Sequence, residues 1–157
     1  MHMTFDRQIS YSQVRYIKLG SGSSMKDRAC IEDGVAYIGF GSSDAELFNL
    51  ACNGEWESFR SRAYERDDNG SPQARKQRAT SAANQVKAFF EADSTTLWIT
   101  FYAGKLYYGS FAENSRPEVN VRMGGCTRSL RGGWQDKDAN GGDFQERCHS
   151  LAAFQAA

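Results

Sequence analysis

The chain has only two histidines and two prolines, and it lacks any C-x-x-C pair. Each shortage removes a class of function. With His2 and His149 as the only imidazoles to join Cys30, Cys52, Cys126 and Cys148, no zinc site of recognised spacing can be assembled. No metal is therefore expected, and the cysteines read as reduced and partly buried. A His-Asn-His nuclease needs histidines the chain does not have, and the Glu-x-Lys of metal-dependent nucleases does not occur. G-x-S-x-G, G-x-x-x-x-G-K-[ST] and G-x-G-x-x-G are missing too, which excludes their nucleophile and phosphate-cradling chemistry. Residues 20–24 (GSGSS) come nearest, but no lysine-serine pair follows, so they read as a flexible turn. Asp136/Asp138 and Glu55/Glu57 are carboxylate pairs without a third ligand, and they read as solvated turn charges. The expectation is a chain with no catalytic residues and no cofactor, a binding domain and not an enzyme.

Long apolar runs are also wanting. No stretch of eighteen occurs, and residues 1–10 lack the apolar core of a signal peptide, so a cytoplasmic protein without membrane contact is expected. His2-Met3 has the character of a cloning remnant.

What is present suits one domain over residues 1–157, since 40% hydrophobic and 13% aromatic content can fill a core at this length. The 15 glycines imply many tight turns. Net charge is zero, yet the charges are unevenly spread. Residues 29–59 hold six acids and no base, whereas Arg75, Lys76, Arg78 and Lys87 have no acid among them. A surface with one face able to meet phosphates is consistent with that pattern.

Residues 14–19 (VRYIKL) and 35–40 (VAYIGF) read as strands, each running into a glycine-serine loop. Leu47, Phe48, Leu50, Trp56 and Phe59 fit one or two short helices within residues 44–64. Residues 65–79 form a polar excursion, loop or solvated helix. The clearest helix spans residues 81–92, with Ala82, Ala83, Val86, Phe89 and Phe90 on one stripe and Thr80 or Ser81 as cap. Residues 97–102 and 106–111 predict a hairpin across residues 103–105. Both faces of its first strand are bulky, which suits a wall covered on two sides. One or two strands are expected within residues 119–134, and a last helix from Phe144 with Asp143 and Glu146 at capping-box spacing.

Four segments in this order carry a likeness: a strand ending at Leu19-Gly20, then DGVAYIGFGSS (33–43), AANQVKAFF (82–90) and TLWITFYAGKLYYGSF (96–111). Together they resemble the EVE-like branch of the PUA superfamily, found at the front of modification-dependent restriction proteins. Phe40 stands where that family often has tryptophan, and Asn84-Gln85 where it has Gly-Gln. The resemblance implies an α+β fold, a mixed PUA-like/EVE-like β-barrel with flanking helices. It also implies a pocket for a base flipped out of double-stranded DNA, bordered by Lys18, Phe40, Ser42, Ser43, Ser81 and Asn84. The expected base is 5-methylcytosine or 5-hydroxymethylcytosine. A nuclease or NTPase domain or subunit would be the partner.

The residues themselves add Trp98 and Trp134 as candidate stacking rings. Arg75, Lys76, Arg78, Arg122, Arg128 and Arg131 are the candidate phosphate contacts. Two rival readings stay open, a reader of modified RNA and a protein-interaction or regulatory domain, which zero net charge favours.

Overall fold

The computed structural model describes residues 11–20, 25–40 and 44–137. Ser42, Ser43 and the expected helix from Phe144 lie outside these residues. Element order is β1 (Gln13–Tyr16), α1 (Met25–Asp33), β2 (Val35–Ile38), α2 (Ala45–Cys52), α3 (Trp56–Arg66), α4 (Pro72–Glu91), β3 (Thr96–Tyr102), β4 (Lys105–Gly109), β5 (Glu118–Asn120) and β6 (Gly125–Ser129). The class is α+β. The chain forms two compact units, Met1–Ala36 with Asp93–Ser115 and Arg128–Ala157, and Tyr37–Ala92 with Arg116–Thr127. Among the described residues no helix is long and apolar enough to cross a membrane.

The expected closed barrel is not what the described strands make. They form two three-stranded sheets, in the orders β1-β3-β4 and β2-β6-β5. Past the end of β4 only isolated bridges continue, Phe111 to Leu130 and, from within β4, Tyr108 to Gln135, so no continuous ladder closes the sheet on itself.

In the first unit, β3 is the central strand, parallel to β1 and antiparallel to β4. Trp98, Ile99 and Thr100 are consecutive and all buried, so both faces of the strand are covered at its middle, as its bulk on both sides predicts. The hairpin turn is two residues, Ala103 and Gly104, with φ of 52° and 76°. That geometry is the primed turn whose twist matches paired strands, and alanine adopts it only with strain. β1 is shorter than the pattern suggests, although the Ile17 N–H still reaches the Ile99 carbonyl at 2.9 Å; Ile17 and Leu19 are buried while Val14 and Tyr16 stay exposed.

The second unit packs α2, α3 and α4 around Ala51, Phe59, Ala83 and Val86, with Phe40, Leu47, Trp56 and Phe90 against them. α4 begins nine residues before the predicted start. Ser71 accepts the Ala74 N–H at 3.2 Å and Pro72 sits in the first turn, a strong initiation signal. Glutamine, arginine, lysine and alanine then carry the helix until Ala79, Ala83, Val86 and Phe89 anchor it. Thr80 and Ser81 are therefore mid-helix residues and not caps. α1 has no apolar stripe to announce it, since its buried positions are Asp27 and Cys30.

Candidate functional site

α3 and α4 are joined by the short segment 67–71, which makes them antiparallel neighbours. Arg78 fixes that connection, donating from Nε to Asp67 Oδ2 at 2.6 Å and from Nη2 to Asp67 Oδ1 at 3.1 Å, with a further bond to the Asn69 carbonyl. The Arg78 guanidinium, with help from the Asn69 N–H, holds the Asp67 carboxyl below its ordinary range. Asp44 braces the same, C-terminal end of α3 from α2. Its side chain caps α2 by accepting the N–H groups of Glu46 and Leu47 at 3.1 Å each, and it meets Arg62 at 3.3 Å and Arg66. Burial pushes the Asp44 carboxyl up, but Arg66, the Leu47 N–H and Arg62 outweigh that and hold it below the usual range.

Along this helix pair runs an open cleft of about 1240 Å³. Arg60, Ser61, Tyr64 and Glu65 line it from α3; Lys76, Gln77, Thr80, Ser81, Asn84 and Gln85 line it from α4. Spacings of three, four and seven put these α4 side chains on one face, beside the buried Ala79–Ala83–Val86 stripe. The wall offers amides that both donate and accept, hydroxyls, one phenol ring, the cations of Arg60 and Lys76 and the Glu65 carboxylate. Gln85 Nε2 donates to Ser81 Oγ at 3.3 Å, orienting both polar ends at one place on the wall.

Of the residues selected from sequence, the structure brings Lys76, Ser81 and Asn84 together here, all exposed. It does not bring the ring candidates to the cleft. Phe40 is half-buried, with its ring edge-to-face against Phe59 at 5.6 Å and Phe90 at 5.8 Å. Trp98 is buried against Phe111 at 5.3 Å. Trp134 is buried and donates Nε1 to the Val35 carbonyl at 2.9 Å. Lys18 is exposed after β1 and does not line the cleft.

The cation set also divides. Arg75 donates Nη2 to the Tyr64 carbonyl at 3.0 Å and lies 4.2 Å from the Tyr64 ring centre. Arg78 is held by Asp67, and Arg128 is buried, 4.0 Å over the Phe111 ring with Nε donating to Ser115 Oγ at 3.3 Å. These three guanidinium groups have partners within the chain, Arg128 buried and Arg78 about half exposed. Lys76, Arg122 and Arg131 are exposed.

Sequence reasoning passed over Tyr64, Gln77 and Gln85. The signal was the polar repeat Gln77, Ser81, Asn84 at four and three residues, which becomes visible once α4 is known to start at Pro72. Comparisons with protein-family models, with curated proteins and with solved structures each find no match.

Proposed function

We propose that this chain is a non-catalytic DNA-binding domain that reads a modified cytosine in a duplex, as the specificity part of a modification-dependent restriction or defence protein. The observation that carries the reading is the α3–α4 cleft, where Asn84, Gln77 and Ser81 present hydrogen-bonding groups beside Lys76. Side-chain amides are suited to the paired donor and acceptor of a base edge, and a flexible lysine to a phosphate. The choice of a modified base, and of an EVE-like, PUA-like architecture, rests on the ordered likeness of the four sequence segments.

The test is fluorescence-anisotropy titration of the chain with one duplex in three forms, carrying cytosine, 5-methylcytosine or 5-hydroxymethylcytosine, and with the matching RNA. One modified DNA duplex should bind at least about tenfold more tightly than the plain one, a difference of about 1.4 kcal/mol. Asn84→Ala should remove about 1 kcal/mol from modified DNA alone, as loss of one polar contact requires. Lys76→Ala should weaken every duplex alike. Equal and weak binding of all forms at low salt would sink the proposal.

A specific feature favours one rival. Net charge is zero, and Arg75, Arg78 and Arg128 have partners within the chain, so no net positive field draws it to phosphates. The same cleft would then take a polar protein segment, and the titration would show no DNA binding.

A further inference from the structure

The loop between β5 and β6 consists of residues 121–124, and it presents an unusual pair outward. Val121 is 78% exposed, and its neighbour Arg122 is exposed and forms no ion pair among the described residues. Turn positions normally carry glycine, asparagine, aspartate or serine, because a β-branched apolar side chain gains nothing there in water. The rest of the loop is firmly held. Asn120 Oδ1 accepts the Met123 N–H at 3.0 Å, and the Gly124 N–H reaches the carbonyls of Asn120 at 3.0 Å and Val121 at 3.2 Å.

Met123 turns inward and is buried, and its carbonyl accepts the Tyr37 hydroxyl at 3.0 Å. Gly124, with φ of 78°, completes the reversal. Gly125 then lies so close to β2 that a Cβ would stand 2.2 Å from the Ile38 carbonyl oxygen. Anchoring on both sides of the tip fixes where Val121 and Arg122 point before any partner arrives.

We infer that this tip enters a groove of the DNA duplex beside the nucleotide being read, with Arg122 against the backbone and Val121 pressed on a base step. The inference rests on the DNA-reading function proposed above. A cation and an aliphatic side chain on one rigid projection match what a groove offers, phosphates at its rim and apolar base-step surface at its floor. Extruding a base requires unstacking its neighbour, and a preset apolar contact lowers that cost at the moment of binding.

The test uses a duplex with 2-aminopurine next to 5-methylcytosine, and a second duplex in which that cytosine is already unpaired by a mismatch. With the intact protein, 2-aminopurine fluorescence should rise on binding the paired duplex. Val121→Ala should abolish the rise and weaken paired-duplex binding about tenfold, the scale expected for two methyl groups of apolar contact. Binding to the mismatched duplex should be unchanged. Arg122→Ala should make the dependence of log affinity on log salt shallower by about one.

A Val121→Ala protein that matches the intact chain on both duplexes or loses equally on both, or an Arg122→Ala protein with an unchanged salt slope, would overturn the inference while leaving base reading intact. If the unaltered protein does not prefer modified DNA, the proposed function falls first and the tip's role with it.

Discussion

The Arg75 guanidinium lies 4.2 Å from the centre of the Tyr64 ring and donates to the Tyr64 carbonyl at 3.0 Å. One arginine thus ties α4 to the last turn of α3 by both face and backbone. Its chemistry is structural, and Tyr64 is held in place on the cleft wall. Arg75→Ala should lower unfolding free energy by about 1 to 2 kcal/mol, through a lost cation–π contact and a lost charged hydrogen bond. The salt slope of DNA binding should not change. A chemical-denaturation curve and a salt titration check the two halves separately.

Asp44 gives a pH prediction with a defined sign. Its folded carboxyl is held below the ordinary range, so its stabilisation is fully present above the unfolded value of about 3.9. That stabilisation is lost as pH falls through the lower folded value. Asp44→Asn keeps a capping oxygen but removes the charge that meets Arg62 and Arg66. At pH 7 the variant should be less stable by about 1 kcal/mol, and the gap should close on acidification below about pH 4. Asp44→Ala should cost about 1 kcal/mol more, the price of the cap, and that increment should persist in acid. Melting curves from pH 7 to pH 3 for the three proteins decide it.

Phe40 separates core from ligand contact. Its ring packs on Phe59 and Phe90, so Phe40→Ala should destabilise the chain by about 3 kcal/mol, and Phe40→Leu by much less. A folded Phe40→Leu protein should bind DNA normally. Loss of modified-base preference in a protein of normal melting temperature would return Phe40 to the ligand.

Thiol chemistry reports on both units at once. Burial, with Asp27 and Asp33 nearby, pushes the Cys30 thiol up to about 12, and burial does the same for Cys126, which donates Sγ to the Phe40 carbonyl at 3.3 Å. Cys52 is exposed. At pH 8, iodoacetamide followed by peptide mass mapping should find Cys52 modified in the native protein and Cys30 and Cys126 modified only after unfolding. Rapid native modification of Cys126 would show that its surroundings open readily.

The elements legible in sequence were those whose pattern is carried by apolar side chains. Thr96–Tyr102 and Lys105–Gly109 announce a hairpin because β-branched and aromatic residues flank a two-residue turn. The second half of α4 is legible from Ala83, Val86 and Phe89. Its first half is not, since no apolar periodicity follows Ser71 and Pro72 before Ala79. α1 escapes for a related reason, with a carboxylate, Asp27, in the buried place an apolar residue would take. At the site, Lys76, Ser81 and Asn84 were reachable from composition and likeness. Tyr64 was not, because its place depends on α3 folding back along α4. The engagement of Arg75, Arg78 and Arg128 was equally hidden, since a sequence shows a charge but not its partner.

The chain path through the two units has a consequence for how the protein acquires its structure. Neither unit is a continuous stretch: Tyr37–Ala92 is completed by Arg116–Thr127, and those residues come after Asp93–Ser115 of the other unit and before Arg128. During synthesis the three helices α2, α3 and α4 can form from local contacts, which are fast. The β5–β6 hairpin that completes their unit reaches them only after β3 and β4 have also emerged. Closure of the long loop from residue 92 to residue 116 therefore belongs to the late, slow part of folding. Truncation before residue 116 would leave both units incomplete, so a stable fragment is not to be had by cutting at either boundary.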